Sequence, residues 1–176
     1  MHLHGPLSVA PTRLAVLRII SGGQTGADQG GLIAARELGI PSGGTAPKDW
    51  LTESGSNEQL LRSFGLVECA DPGYDVRTRK NVVDSDGTLL LGSYASGGSA
   101  MTAKIANEAG KPFFHVPYPR ADSDEDLAKA GAEFRQWLAE FQIHILNVAG
   151  NRESQNPGLQ EFTKEFLVSA LRKGSK

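Results

Sequence analysis

Short apolar runs alternate with stretches of helical periodicity along the chain, and each change of period is marked by glycine, proline or a small polar cluster. Val16, Leu17, Ile19 and Ile20 make the first run and predict a strand over residues 16–21. The helix after it sets Ala27, Gly31, Ala35 and Leu38 on one narrow face of mostly small side chains, and Gly39 supplies its stop. Residues 40–47 read as an extended piece too rich in glycine and proline to be a firm strand. A short helix is predicted over 57–64, and residues 71–73 (Asp-Pro-Gly) mark a turn. Residues 74–83 then read as a helical stretch carrying the cations Arg77, Arg79 and Lys80.

The second half repeats the alternation. Residues 88–91 (Thr-Leu-Leu-Leu) are a run typical of a strand buried on both faces, followed by a helix over 99–109 with Met101, Ile105 and Ala109 on one side. Phe113 to Val116 reads as a strand, and Ser123 with Asp126 opens an amphipathic helix in capping-box fashion, with Leu127, Ala130, Phe134, Leu138 and Phe141 in phase. The last strand is expected over 143–148. Pro157 suits the first position of a final helix, with Asn156 as its cap and Leu159, Phe162, Phe166 and Ala170 facing inward. This order predicts the α/β class: a single Rossmann-like domain over residues 14–176, built on a doubly wound parallel sheet of about five strands. Residues 1–13, with Pro6 and Pro11, read as a poorly ordered lead-in.

Composition narrows the function more than the fold. A chain of 176 residues suits one domain with a full core, and a net charge of −2 gives no electrostatic footprint for nucleic acid or an anionic membrane. Cys69 is the single cysteine, which excludes an internal disulfide and a multi-cysteine metal site, and it reads as a buried structural thiol. No apolar run is long enough to span a membrane and no secretory pattern opens the chain, so a soluble, cytoplasmic protein is expected. His2 and His4 read as part of the terminus and not as a metal site. The 21 glycines exceed ordinary usage and gather in loops, which points to backbone approaching a ligand closely.

Three of those loops follow strands. Ser21-Gly22-Gly23-Gln24-Thr25-Gly26 opens a helix near Asp28, and Ser96-Gly97-Gly98-Ser99 opens another. Residues 149–156 carry Arg152 just beyond the last strand. Free amides and the positive end of a helix dipole make such loops anion sites. The first loop lacks a Gly-Lys-Ser/Thr ending, which argues against a nucleoside-triphosphate loop of Walker type. Residues 42–45 are Ser-Gly-Gly-Thr, where a dinucleotide fold expects an acidic residue, which argues against an NAD site.

Thr25 and Ser99 either cap their helices or donate to a ligand oxygen, and Asp28 reads first as a helix-dipole partner. Arg77, Arg79 and Lys80 are either a solvated face or a second clamp on phosphate, and Arg152 carries the same two readings. Asp84 and Asp86 read as turn caps, with a Mg2+ contact as the alternative. His115 and His144 lie in predicted strands and read as core or edge residues. No catalytic constellation is visible. The candidate ligand-binding set is Gly22, Gly23, Gln24, Thr25, Gly26, Arg77, Asn81, Ser96, Gly97, Gly98, Ser99, Thr102 and Arg152, with a small phosphorylated molecule as the ligand.

Four stretches, 19–28 (Ile-Ile-Ser-Gly-Gly-Gln-Thr-Gly-Ala-Asp), 43–48 (Gly-Gly-Thr-Ala-Pro-Lys), 81–88 (Asn-Val-Val-Asp-Ser-Asp-Gly-Thr) and 147–154 (Asn-Val-Ala-Gly-Asn-Arg-Glu-Ser), resemble the molybdenum cofactor carrier protein family. The similarity runs from about residue 17 to the C-terminal helix. It implies a homotetramer, a pocket for molybdenum cofactor, and molybdoenzymes or cofactor-synthesis proteins as partners. The same site would also suit a nucleotide such as ATP, AMP or ADP-ribose. The family belongs to a wider Rossmann-like group that includes the lysine decarboxylase-like phosphoribohydrolases, whose Pro-Gly-Gly-x-Gly-Thr-x-x-Glu loop corresponds here to residues 96–104. The glycine pair Gly97-Gly98 remains, whereas the glutamate position is Lys104. The resemblance therefore implies binding without turnover, with phosphoribohydrolase activity as the less favoured reading.

Overall fold

The computed structural model describes residues 15–120 and 123–172; the predicted lead-in, with His2 and His4, lies outside them. In chain order the elements are β1 (Arg18–Ser21), α1 (Ala27–Leu38), β2 (Ser42–Ala46), β3 (Leu51–Thr52), β4 (Gly55–Ser56), α2 (Glu58–Ser63), β5 (Leu66–Glu68) and α3 (Tyr74–Val83). They continue with β6 (Gly87–Leu91), α4 (Gly97–Glu108), β7 (Phe113–Val116), α5 (Asp124–Glu140), β8 (Ile145–Gly150) and α6 (Leu159–Leu171).

Six strands form one parallel sheet in the order β5-β2-β1-β8-β6-β7, while β3 and β4 make a separate antiparallel hairpin. The sixth strand is β5, which three residues are too short to announce. It sits at the sheet edge, where Leu66 is buried and Val67 exposed.

The final strand lies in the centre, between β1 and β6. Counting from β8 as though the chain began there turns the order into four-three-two-one-five-six, that of a doubly wound sheet whose first strand stands beside the reversal point. The helix after β8 packs on α1, as a crossover back to β1 would. The reversal therefore falls between β8 and β6, where sheets of this kind open a crevice beyond their carboxyl ends.

The two faces of the sheet are unequal. Ile19, Leu89, Leu91, Leu146 and Val148 point to one face and pack under α1, α5 and α6 with Phe134, Leu159 and Leu167. A second cluster on α1, of Leu32 with Trp50, Leu61, Phe64 and Leu66, seats α2. Under α3 and α4 the apolar cluster is only Val82, Ile105 and Ala106 with Ala109 and Phe113. Towards the crevice that face is polar: Asn147 Nδ2 donates to Thr88 Oγ1 at 3.1 Å, and both residues are buried.

The small face of α1 allows its close approach. A β-carbon added at Gly31 would lie 2.7 Å from Val148 Cβ. Gly31→Val is expected to cost about 1–3 kcal/mol through overpacking. A urea midpoint that falls with unchanged slope would bear this out, and an unmoved midpoint would show that α1 can lift off β8 at no cost.

Several boundaries differ from the sequence reading, β1 starting at Arg18 and not at residue 16 among them, and three have a cap or a hydrogen bond as their reason. Helix α4 starts at Gly97 with Ser96 in the cap position. Helix α6 starts at Leu159 after Gly158, whose φ of 90° ends the preceding turn. Its cap is Gly158 and not Asn156, and the amides there are shared: Gly158 N–H and Gln160 N–H donate to the two Glu153 oxygens at 2.6 and 2.8 Å, and Leu159 N–H donates to the Asn156 carbonyl at 3.0 Å. Strand β8 starts two residues later than expected, because Asp86 Oδ2 accepts the amides of His144 and Ile145 at 2.9 and 2.7 Å and ties off the chain there.

Candidate functional site

The three loops meet beyond the carboxyl ends of β1, β8 and β6. The first is largely closed upon itself. Gly23 N–H donates to Ser21 Oγ at 3.2 Å, Gln24 N–H to Asp28 Oδ2 at 3.2 Å, and Thr25 N–H to Gln24 Oε1 at 3.0 Å. Gly26 N–H reaches Gln160 Oε1 at 3.3 Å, and Ala27 N–H reaches the Asn151 carbonyl at 3.2 Å. The Asp28 carboxylate thus takes the place in this loop that an external anion would take. Neither Thr25 nor Ser99 is a cap residue, since Gly26 and Ser96 stand in those positions.

Arg77 comes in from α3 and is buried, with 5% exposure. Its Nη1 lies 3.6 Å from Asp28 Oδ2, and a β-carbon at Gly22 would fall 1.7 Å from that nitrogen, so glycine makes room for the guanidinium. The Tyr74 ring covers the group, with Cζ 4.7 Å from the centroid, yet Nε and Nη2 have no hydrogen-bond partner among the described residues. A buried cation with two unused donors is costly unless a ligand completes it. Burial pushes the Asp28 carboxyl up to about 6, against the opposing pull of Arg77, the Gln24 and Gly22 amides, and Arg152. Of the three cations on α3, only Arg77 turns inward: Arg79 pairs with Glu108 at 3.1 Å and Lys80 with Asp84 at 3.0 Å.

The second loop is open. Among the described residues, the amides of Gly97, Gly98 and Ser99 have no protein acceptor, and α4 has no side-chain cap. Gly97 takes φ 68°, and a β-carbon there would meet nothing within 4 Å. Ser99 Oγ accepts from Asn151 Nδ2 at 3.1 Å, while Thr102 Oγ1 donates back to the Gly98 carbonyl at 3.0 Å. In front of this loop lies a cleft of about 630 Å3 at the β8–β6 reversal point, lined by residues that include Ser96, Gly97, Gly98, Ser99, Asn151 and Arg152. Arg152 makes no ion pair among the described residues and also borders the two neighbouring clefts.

Gly22, Gln24, Arg77, Asn81, Thr102 and Arg152 share a small central cavity of about 30 Å3 with Asp28, Tyr74 and Asn147. Asn81 is there, but both ends of its amide are engaged by the Thr45 backbone at 2.8 and 3.0 Å. Gly23 packs towards Leu61 and Leu66, and Gly26 against the Asn151 carbonyl.

Thr25 turns towards Glu53, which sequence reasoning missed. From the β3–β4 turn, Glu53 accepts from the Thr25 and Ser154 hydroxyls and from Ser154 N–H, and its own amide donates to Gln24 Oε1 at 2.9 Å. The Ser154 and Thr25 hydroxyls hold its carboxyl below the usual glutamate range. These partners are 28 and 101 residues away, and no local signal marks such pairings.

The remaining candidates fall outside the crevice. Lys104 is exposed and lies 3.9 Å from Glu108. His115 sits on β7 with its ring 4.5 Å from that of Tyr94, whereas His144 is exposed just before β8 and not within a strand. Asp84 and Asp86 stand at the opposite end of the sheet, taken up by Lys80 and by the β8 amides, which favours the turn-cap reading over a Mg2+ contact. Cys69 is buried after β5 and is not among the residues lining the crevice. No group of three or more His, Cys, Asp or Glu side chains able to hold a metal ion occurs among the described residues. No helix among them is long and apolar enough to cross a membrane.

A search of curated proteins gave no match. A crystal structure from Syntrophus aciditrophicus SB, described as "Putative molybdenum carrier protein", is similar at 35% identity and a TM-score of 0.79, over 90% of this chain and 96% of that one. The family model of the circularly permutated YpsA SLOG family matches residues 19–171, and the central place of β8 fits a permuted strand order. The chain belongs to the circularly permutated YpsA SLOG family.

Proposed function

We propose that the protein binds and carries molybdenum cofactor, a pterin phosphate, without converting it. The observation that carries this reading is the open first turn of α4: three amides without acceptors face a cleft at the reversal point, with the unpaired Arg152 beside them. A phosphate there meets backbone donors and the positive end of a helix dipole. Arg77 adds buried charge with two donors to spare. The name of the similar Syntrophus aciditrophicus protein supports the choice of cofactor.

The donor set fits such a ligand at its phosphate end. Gly97, Gly98, Ser99 and Arg152 would hold the phosphate, and Arg77 would balance its charge. The crevice brings no thiol to the metal, so the dithiolene sulfurs of the cofactor would remain its sulfur ligands. Lys104 stands where the related hydrolases place a glutamate, and its exposure supports holding over turnover.

Anaerobic titration with isolated cofactor tests the reading, with retention on gel filtration and slower oxidation as the expected results. Gly97→Val is expected to weaken binding at least about tenfold, because its side chain would enter space that now holds no protein atom. Calorimetry with AMP and ADP-ribose is the competing arm. Nucleotide binding that displaces the cofactor would replace the carrier reading with a nucleotide-binding one, and cofactor binding unaffected by Gly97→Val would remove the α4 cradle.

A further inference from the structure

The β3–β4 hairpin and the turn before α3 enclose another cleft, of about 310 Å3, which shares Gln24, Tyr74, Arg77 and Arg152 with the phosphate region. Its chemistry differs from that of the α4 cleft. Leu51 and Tyr74, 58% and 42% exposed, line it together with Pro47 and Pro72. Such side chains form flat apolar walls rather than an ion site. Arg77, nine-tenths buried and with Nε and Nη2 unused, lines it as well.

Three carboxylates and Lys48 also line the cleft, and Glu53 among them is already taken by the Thr25 and Ser154 hydroxyls. Asp71 Oδ1 accepts from Gly73 N–H at 2.7 Å, and among the described residues neither its second oxygen nor the Asp49 carboxylate has a protein partner. A cavity of this size has room for a fused bicyclic ring, and the shared Tyr74 and Arg152 join it to the adjoining cleft in front of α4, where the phosphate would lie.

Resting on the phosphate reading above, we propose that this cleft takes the ring of the same ligand, and that the ring carries a 2-amino-4-oxopyrimidine edge. Pterins and guanine share that edge. Its ring N–H and exocyclic amino group are adjacent donors, which suit carboxylate oxygens, and its keto oxygen needs a donor such as the spare Arg77 N–H groups. Adenine presents a bare ring nitrogen where the carboxylates require a donor, so it leaves acceptors facing each other.

Calorimetry at pH 7 with GMP, AMP, a pterin monophosphate and pyrophosphate tests this, on the wild type and on the Asp49→Asn, Asp71→Asn double variant. GMP and the pterin phosphate are expected to bind about 10- to 100-fold more tightly than AMP. The double variant is expected to lose that preference while pyrophosphate still binds. Whichever of the guanine and pterin compounds binds more tightly identifies the fused ring. Equal affinity for all three ring compounds, or a preference that survives the double variant, overturns the ring subsite and leaves the phosphate reading standing. Failure of every compound, pyrophosphate included, overturns the phosphate reading and this inference with it.

Discussion

Replacing Arg77 by methionine is expected to lower stability at pH 7 by about 3–5 kcal/mol, the range for stranding one partner of a buried ion pair. The substitution keeps most of the aliphatic volume, so the loss reports charge more than packing. It leaves the Asp28 carboxylate, 5% exposed, with only the Gln24 and Gly22 amides and the more distant Arg152 to balance it. It also removes the contact with the Tyr74 ring, worth about 0.5–2 kcal/mol. Urea unfolding measures the total. The double variant Arg77→Met, Asp28→Asn should recover part of the loss, because no charge is then left buried. A cost below about 1 kcal/mol for Arg77→Met would mean that the Asp28–Arg77 pair is already hydrated, and that Arg77 holds no charge in reserve for a ligand.

The same variant addresses the site. Arg77 already makes one ion pair, and its two unused donors are what distinguish it from a purely structural cation. Loss of phosphate binding in Arg77→Met could follow from misfolding alone, so Arg77→Lys is the informative companion. Lysine keeps the charge near Asp28 but not the planar fork. If Arg77 only neutralises Asp28, lysine restores both stability and binding. If the fork reaches the ligand, lysine restores stability and leaves binding weak.

The alternation of strands and helices was readable along the chain because each buried element carries its own period, as Leu89 to Leu91 and Ala27 to Leu38 do. The sheet order was not, since nothing local to residues 145–150 marks them as the central strand. What places β8 there is packing of Leu146 and Val148 on one face and the Asn147–Thr88 pair on the other. Edge strand β5 escaped notice for a related reason: only Leu66 of its three residues is buried.

At the site, the glycine loops of the sequence come together at the crevice, but their residues could not show which amides are free. Four residues of the first loop spend their amides on Asp28, Gln24, Gln160 and Asn151, and the last two partners lie more than a hundred residues away. The more specific of the two motifs is thus the more fully satisfied internally. Its glycines admit Arg77 and the Asn151 backbone, and the plainer Ser96-Gly97-Gly98 loop keeps its donors. Tyr74, Glu53 and Asp49 gave no signal because hairpin and turn residues look alike until the fold brings them together.

Asp28→Asn is expected to remove a pH dependence of opposite sign to that of ordinary paired carboxylates. Asp28 titrates at 3.8 in the unfolded chain and at about 6 when folded. Between those values the folded state holds a proton that the unfolded chain has released, so stability falls as pH rises through the window. The loss totals about 3 kcal/mol; the contribution is fully present below 3.8 and gone above about 6. Glu53, Asp126 and Glu161 are held low and act the other way, adding stability above their unfolded values and losing it as pH falls through the folded ones. The wild-type profile mixes both, and its difference from Asp28→Asn isolates the first. That difference, from urea unfolding, should shift by about 3 kcal/mol against the wild type between about pH 3.5 and pH 7. A flat difference would mean that Asp28 keeps an ordinary pKa despite its burial. Sulfate, whose charge is constant over this range, gives a second readout. Protonation of Asp28 releases Arg77 from its partner, so sulfate should bind more tightly at about pH 5 than at pH 7.5 in the wild type, and Asp28→Asn should abolish that difference.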